Sequence, residues 1–411
     1  MGRVQLLAAA LLGAGLSGAA GAATIAYNII DLGTFGTAAN VRSYGHAVNN
    51  FGQVTGFSDT GTTNRGATHA FLWANNTLQD LGTLATGTIA VGYGINNKGQ
   101  VTGYSNVSGN FQHAFLWQNG TMTDLGTNGG VHAQGRDIND AGKMVGFSIF
   151  SGSRNVGWAN ENGFESLQML GTGNQSNAYR VNSAGVAAGY ATNPLVYGVR
   201  RAVTWDANGV VTNLNIGNGN DSIAYGLNDG GDVVGRYLTI NGNNDTIARA
   251  FWWHKATGTY QTLGGLPGEV NYYAYGISND GKIVGIADHA NAFGNSAIIS
   301  GVIWQNGIAT KLNDLIDPLL GWNVQFAQDI SQNGFYITGQ GTIAGRQHAF
   351  LMCAVGQPCN GVIPGLDPPP PPPPPPIGGV PEPGTWELLA AGFGLMGLVQ
   401  RRRGSAPATA A

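Results

Sequence analysis

The segment Ile95-Asn96-Asn97-Lys98-Gly99-Gln100-Val101-Thr102-Gly103 joins a tight turn to a short apolar strand. The turn returns as Val48-Asn49-Asn50-Phe51-Gly52, Ile138-Asn139-Asp140-Ala141-Gly142 and Val181-Asn182-Ser183-Ala184-Gly185. It appears again as Leu227-Asn228-Asp229-Gly230-Gly231, Ile277-Ser278-Asn279-Asp280-Gly281 and Ile330-Ser331-Gln332-Asn333-Gly334. Successive turn glycines are 47, 43, 43, 46, 50 and 53 residues apart. A period of roughly 40–50 residues holding several short strands is the pattern of propeller blades.

Working outward from Ile95, one period holds four strand signals: Val91–Asn96, Gly99–Gly103, His113–Trp117 and Met122–Gly126. Their consecutive apolar positions suit strands covered on both faces, as stacked blades require. Asn96-Asn97-Lys98-Gly99 and Trp117-Gln118-Asn119-Gly120 supply residues that tolerate positive φ at the connections. In the last repeat Gly334 and Gly339 stand five apart rather than four, which reads as a bulge. The chain enters its first repeat on a fourth strand, Asn28–Gly33, and leaves the last on a third, His348–Met352. Seven times four strands therefore close without remainder, which removes exposed sheet edges. The expected fold is all-β: a seven-bladed β-propeller of four-stranded blades, closed by the N-terminal strand, with the glycine-rich Ala-x-Gly-Ile-Asn strand innermost. A β-solenoid or two packed β-domains are the alternatives.

The expected domains are a signal peptide at 1–23, the propeller at 24–363, a proline-rich linker at 364–379, a sorting signal at 380–403 and a tail at 404–411. Arg3, the apolar run Leu6–Leu16 and the small residues Ala20-Gly21-Ala22 have the layout of a secretory signal. Nine prolines at 368–376 form a stiff spacer. Then follow Pro381-Glu382-Pro383, an apolar stretch from Trp386 to Val399, and Arg401-Arg402-Arg403. This stretch of fourteen residues, apolar except for Glu387, spans only ~21 Å as a helix, short for a permanent anchor, although a plain C-terminal anchor is the simpler alternative. The arginines hold the cytoplasmic side. This triplet resembles the PEP-CTERM sorting signal of Gram-negative bacteria. The resemblance implies transient inner-membrane insertion, processing by an exosortase, and release or attachment at the cell envelope, in settings associated with exopolysaccharide and biofilm.

The repeats also resemble the HAF repeats of exported bacterial proteins, through His69-Ala70-Phe71, His113-Ala114-Phe115 and His348-Ala349-Phe350. Arg154, Arg201, Arg249 and Ser300 stand at the His position of the other four repeats. That resemblance implies export and a repeat fold rather than an activity.

Composition narrows the classes. Glycine, 67 of 411 residues, is far above the ~7% norm, while 43% of residues are hydrophobic, so short strands and tight turns fit better than disorder. Loss of Arg3, Glu387 and the three tail arginines would leave 15 basic against 21 acidic residues, about −6 in net charge. With no basic patch, nucleic acid is not an expected partner. Cys353 and Cys359 close a small loop, and an exported setting favours a disulfide over a zinc site lacking further ligands.

In a four-stranded meander the tight turns share one face of the disc and the long connections the other. Those connections, at 34–43, 57–68, 127–135, 190–200, 236–248, 265–274, 286–298 and 316–327, are where binding is expected. The histidines of the repeat are read as hydrogen bonds to a neighbouring blade, since arginine replaces them elsewhere and cannot ligate a metal. Asp31, Asp80, Asp124 and Asp314 are read as turn or blade contacts, and tryptophans 73, 117, 158, 205, 253 and 304 as repeat core. Residues unique to single loops remain as ligand-binding candidates: Glu269, Asn271, Tyr272, Tyr273 and His132. Aromatic and amide groups of this kind stack on and hydrogen-bond sugars. Gly-x-Ser-x-Gly, His-Glu-x-x-His and Cys-x-x-Cys are all missing from the sequence, so no catalytic residue, metal or cofactor is assigned. The expected function is a non-enzymatic surface or matrix protein binding extracellular polysaccharide or another surface protein. A hydrolase using two loop carboxylates and a purely structural spacer are the alternatives.

Overall fold

A computed structural model describes residues 26–152, 154–160, 164–192, 198–289 and 299–362. The expected signal peptide, linker and sorting segment lie outside these residues. Seven four-stranded antiparallel sheets form the described fold, and among the described residues the only helical turns are short 3-10 segments. Blades I to VI follow chain order. Blade I takes Ser43–Val48, Val54–Asp59, Thr68–Ala74 and Thr77–Gly82 as its first to fourth strands. Blade VII uses Asn323–Ile330, Tyr336–Ile343 and Arg346–Ala354, and its fourth strand is the N-terminal Tyr27–Asp31. Ring closure is therefore hydrogen-bonded, with Tyr27 opposite Ala354 and Asp31 opposite Phe350.

The first strand of each blade is innermost and touches the first strands of both neighbours around the ring. Between adjacent blades the third-strand aromatic residues pack. Phe115 and Trp117 of blade II, for example, join Ala70 and Leu72 of blade I in one buried cluster. Trp158, Trp205 and Trp304 are fully buried, which makes the tryptophans core. Each such side chain contributes ~1.5–3 kcal/mol through apolar burial, repeated at every interface.

The recurrent asparagine explains the turn motif. Asn49 Nδ2 donates to Asn96 O (3.0 Å), Asn96 to Asn139 O (2.9 Å), Asn139 to Asn182 O (2.9 Å), Asn182 to Asn228 O (3.1 Å) and Asn228 to Ser278 O (3.2 Å). This ladder stitches blades I to VI on the turn face. Ser278 is too short to continue it and bonds within its own turn, to Lys282 O at 3.1 Å. Blade VI is joined to blade VII instead by Asn279 N–H donating to Gln332 O (2.8 Å), and blade VII to blade I by Asn333, whose backbone N–H and Nδ2 both donate to Asn50, each at 2.9 Å. Gly99 supplies the positive φ, +72°, that ends such a turn.

Three local expectations change. The extra residue of the last repeat widens the turn, because Ser331 N–H reaches Tyr336 O where Asn49 N–H reaches Gln53 O. The repeat histidines bond inside their own blade rather than to a neighbour. His69 meets Asp80 at 2.9 Å, His113 meets Asp124 at 2.9 Å, and His348 meets Asp31 at 2.8 Å across the closure. The cross-blade role belongs to two of the three replacing arginines: Arg201 donates to Asn220 O (2.6 Å) and Arg249 to Val270 O (2.8 Å), both in the segment leading to the next blade. The third change is in blade V, where strands Val233–Ile240 and Thr246–His254 run through most of the loop expected at 236–248. Cys353 and Cys359 are joined by a disulfide at the end of the last strand.

Candidate functional site

Every innermost strand carries a β-bulge at the same place. In blade I the register jumps between Gly45 and Ala47, and the same jump occurs at Gly92/Gly94, Gly135/Asp137, Ala178/Arg180, Ala224/Gly226, Ala274/Gly276 and Ala327/Asp329. The bulge thrusts an inner-strand carbonyl toward the second strand, so only glycine fits opposite. A Cβ on Gly56 would overlap Tyr44 O, and one on Gly103 would overlap Val91 O. The Gly-x-Val-x-Gly element therefore follows from the bulge.

The skipped residue of each bulge is free of ladder pairing. In blade order these residues are His46, Tyr93, Arg136, Tyr179, Tyr225, Tyr275 and Gln328. Together with Tyr44, Phe326 and Arg180 they line a cavity of about 410 Å³ at the axis. That size falls within the ~300–1,000 Å³ of small-molecule sites. The rings form a nearly continuous collar. Tyr44 stacks on His46 (4.7 Å between centroids) and His46 lies against Tyr93 (4.8 Å). Arg136 then lies over Tyr93 (3.9 Å) and near Tyr179 (5.2 Å). Tyr179 contacts Tyr225 (5.8 Å), and Tyr225 meets Tyr275 edge-on (5.3 Å). Tyr44 OH donates to Gln328 Oε1 at 3.1 Å. Burial pushes the Tyr179 phenol up to about 12 and holds His46 down to about 3, so both are neutral at physiological pH.

One residue further toward the turn face lies a charged layer. Arg180 of blade IV reaches Asp329 of blade VII (Nη2–Oδ1 2.8 Å). Asp329 also accepts from Val48 N–H (3.1 Å), and Asp137 accepts from Val181 N–H (2.9 Å), each across to the next blade. Burial raises the Asp137 carboxyl to about 6 against the opposing pull of Arg180, and burial likewise raises Asp329. Blades II, V and VI have Gly94, Gly226 and Gly276 at this level. A Cβ on Gly276 would lie 2.9 Å from Ile330 N and 3.2 Å from Asp329 Oδ1, so the layer is crowded where it is charged. Arg180 lines both the collar cavity and a second cavity of about 170 Å³ toward the turn face, and so stands between them.

The residues singled out from the loops lie elsewhere. Asn271 is buried and accepts from Ala248 N–H (2.9 Å) while donating to Asp288 (2.8 Å). Tyr272 is buried, and its hydroxyl ties down the preceding loop through Leu266 and Glu269. Burial works to raise the Glu269 carboxyl, but hydrogen bonds from His289 (2.7 Å) and Lys311 (3.1 Å) hold it below its usual value. Tyr273 stacks on the collar residue Tyr275 (6.3 Å), which links this loop to the axis. His132 belongs to blade III, where its Nδ1 accepts from Gln112 N–H (3.1 Å), so it is not brought to the blade VI cluster. Among the described residues no group of three or more His, Cys, Asp or Glu is arranged to hold a metal. The collar is not built from the loops: it occupies the variable position inside Ala-x-Gly-Ile-Asn of the inner strand. The signal in the sequence is that this position changes from His to Tyr to Arg to Gln between a constant small residue, Gly or Ala, just before it and the Asn/Ser of the turn three residues on.

Residues 379–403 match the PEP-CTERM protein-sorting motif. No curated protein matches the chain. Among solved structures it is similar to oligogalacturonate lyase from Vibrio parahaemolyticus, at 13% identity and TM-score 0.51, over 80% of this chain and 97% of that one. An oligogalacturonate lyase in complex with manganese aligns at 13% identity and TM-score 0.49, over 81% and 97%. At this identity the likeness is one of fold.

Proposed function

We propose that the chain is an exported cell-surface or biofilm-matrix protein, an exosortase substrate, whose axial collar binds extracellular saccharide. The matched sorting motif at 379–403 supports the address, and the HAF-like triplets and the signal-like N-terminus agree with it. The observation carrying the binding role is the cavity of about 410 Å³ ringed by five tyrosines. Tyrosine offers an apolar face for sugar C–H groups and a hydroxyl for their oxygens. Such a pocket sits on rigid inner strands, which lowers the ordering cost of binding.

A carbohydrate-active enzyme is the second reading, and the axial pair Asp137 and Asp329 is what favours it. Both acids, however, are committed to backbone N–H groups, and Asp329 also to Arg180. A glycosidase pair instead faces the substrate at ~5–10 Å separation. The test mixes the full-length protein with the producing strain's exopolysaccharide and follows calorimetric binding and new reducing ends in the same samples. Saturable binding lost in Tyr225→Ala, without cleavage, upholds the proposal. New reducing ends lost in Asp137→Asn would replace it with the enzymatic reading. Binding that survives Tyr225→Ala and Tyr275→Ala would move the site off the axis, toward a protein-binding loop face.

A further inference from the structure

The axial cavity contains two arginines of opposite standing. Arg180 is neutralised where it stands, by Asp329 at 2.8 Å. Arg136 is not. Among the described residues its hydrogen bond is a long one, Nη1 to Gln134 Oε1 at 3.3 Å, and no carboxylate lies within ion-pair distance of it. Its guanidinium instead rests on Tyr93 at 3.9 Å, with Tyr179 at 5.2 Å and Phe147 at 6.0 Å. Stacking fixes the plane of the group, which lines the cavity, and among the described residues most of its five N–H donors have no protein acceptor. A semi-enclosed cation without a counterion is unfavourable unless an anion arrives to meet it.

The rest of the lining points the same way. Burial keeps His46 uncharged, and no carboxylate belongs to the cavity wall. A cationic ligand would find an aromatic cage already occupied by an arginine. The chain as a whole carries a formal charge of −3, so the cationic pocket is local and is not a reflection of composition.

We infer that the axial pocket selects an acidic sugar, with Arg136 holding the ligand's carboxylate and the flanking tyrosines stacking on its rings. A guanidinium matches a carboxylate through two parallel N–H donors, which fixes orientation as well as charge. Arg136 thereby becomes the specificity residue, and Tyr93 its support. This inference rests on the saccharide reading above.

The two are separated by a matched pair of probes: a β-1,4-linked glucuronate tetramer and cellotetraose, which differ at C6. Both are titrated into the full-length protein by calorimetry, alongside an array of neutral and uronic-acid oligosaccharides. The expected result is binding of the uronate at least about tenfold tighter than the neutral tetramer, weakened by added salt. Arg136→Gln should weaken uronate binding about tenfold and so remove that preference, and Arg136→Lys should restore part of it. Equal affinity for the pair, or a preference unchanged in Arg136→Gln, overturns the inference and leaves saccharide binding standing. No binding anywhere on the array overturns both. Unaltered thermal unfolding of Arg136→Gln shows that the loss is not one of folding.

Discussion

Two neighbouring levels of the innermost strands obey opposite rules. At the turn face the asparagine side chain recurs in five consecutive blades and makes the same bond each time, from Asn49 to Asn228. Three residues earlier, at the bulge, the side chain is His46, Tyr93, Arg136, Tyr179, Tyr225, Tyr275 or Gln328, and no two adjacent blades contribute the same contact except along the tyrosines. The backbone at both levels repeats. What is repeated in side chain holds the ring together, and what varies against a repeated backbone faces the cavity.

That contrast is broken hardest by disturbing the bulge itself. Gly103→Ala places a Cβ on Val91 O with backbone on both sides, so neither strand can yield without losing its ladder. A loss of about 3–4 kcal/mol or more is expected, enough to show as a large fall in denaturant midpoint. If Gly103→Ala unfolds like the parent, the bulge is not the reason for the glycine.

The charged layer lies between the two levels and gives the next effect. Arg180→Met leaves Asp137 and Asp329 buried without their counter-charge, a change of about 3–5 kcal/mol at neutral pH. The sign with pH is opposite to ordinary acid denaturation. Asp137 has a folded value of about 6, above the 3.8 of an unperturbed carboxyl, so the native state binds its proton more tightly than the unfolded one. The stability from that proton is fully present below about 3.8 and is lost as pH rises through about 6. Arg180→Met should therefore recover part of its deficit between pH 7.5 and about 5, read by denaturant titration at both. A deficit that grows on acidification would show that the acids are stabilised as anions.

The sequence carried the ring plainly because each blade states its hydrogen bonds locally. The Asn-x-x-Gly turns, the Asn119-Gly120 connection with φ of 51° and 81°, and the buried tryptophans are each set within a few residues. Closure by Tyr27–Asp31 followed from counting strands. The site was hidden for two physical reasons. A bulge inserts one residue without changing the strand's apolar pattern, so His46 and its equivalents read as ordinary repeat positions. The collar is also assembled from residues about 45 apart in sequence, which only ring closure brings together. Glu269 and Tyr272 stand out in the sequence because of a single loop's own anchoring, by His289 and Lys311 for one and Leu266 for the other.

The smaller effects sharpen the comparison directly. Asn139→Ala removes the donor to Asn182 O and the acceptor of Lys143 N–H at a buried turn, and should cost about 1–3 kcal/mol. Tyr225→Leu, at the bulge, loses the edge contact with Tyr275 at 5.3 Å and the facing ring of Tyr179 at 5.8 Å. Aromatic pairs are worth ~0.5–1.5 kcal/mol beyond area, and leucine keeps most of the apolar contact. Its thermal midpoint should therefore move by less than that of Asn139→Ala, while its saccharide affinity falls and that of Asn139→Ala does not. A Tyr225→Leu protein that is markedly less stable and still binds would reverse the assignment, making the collar a structural plug.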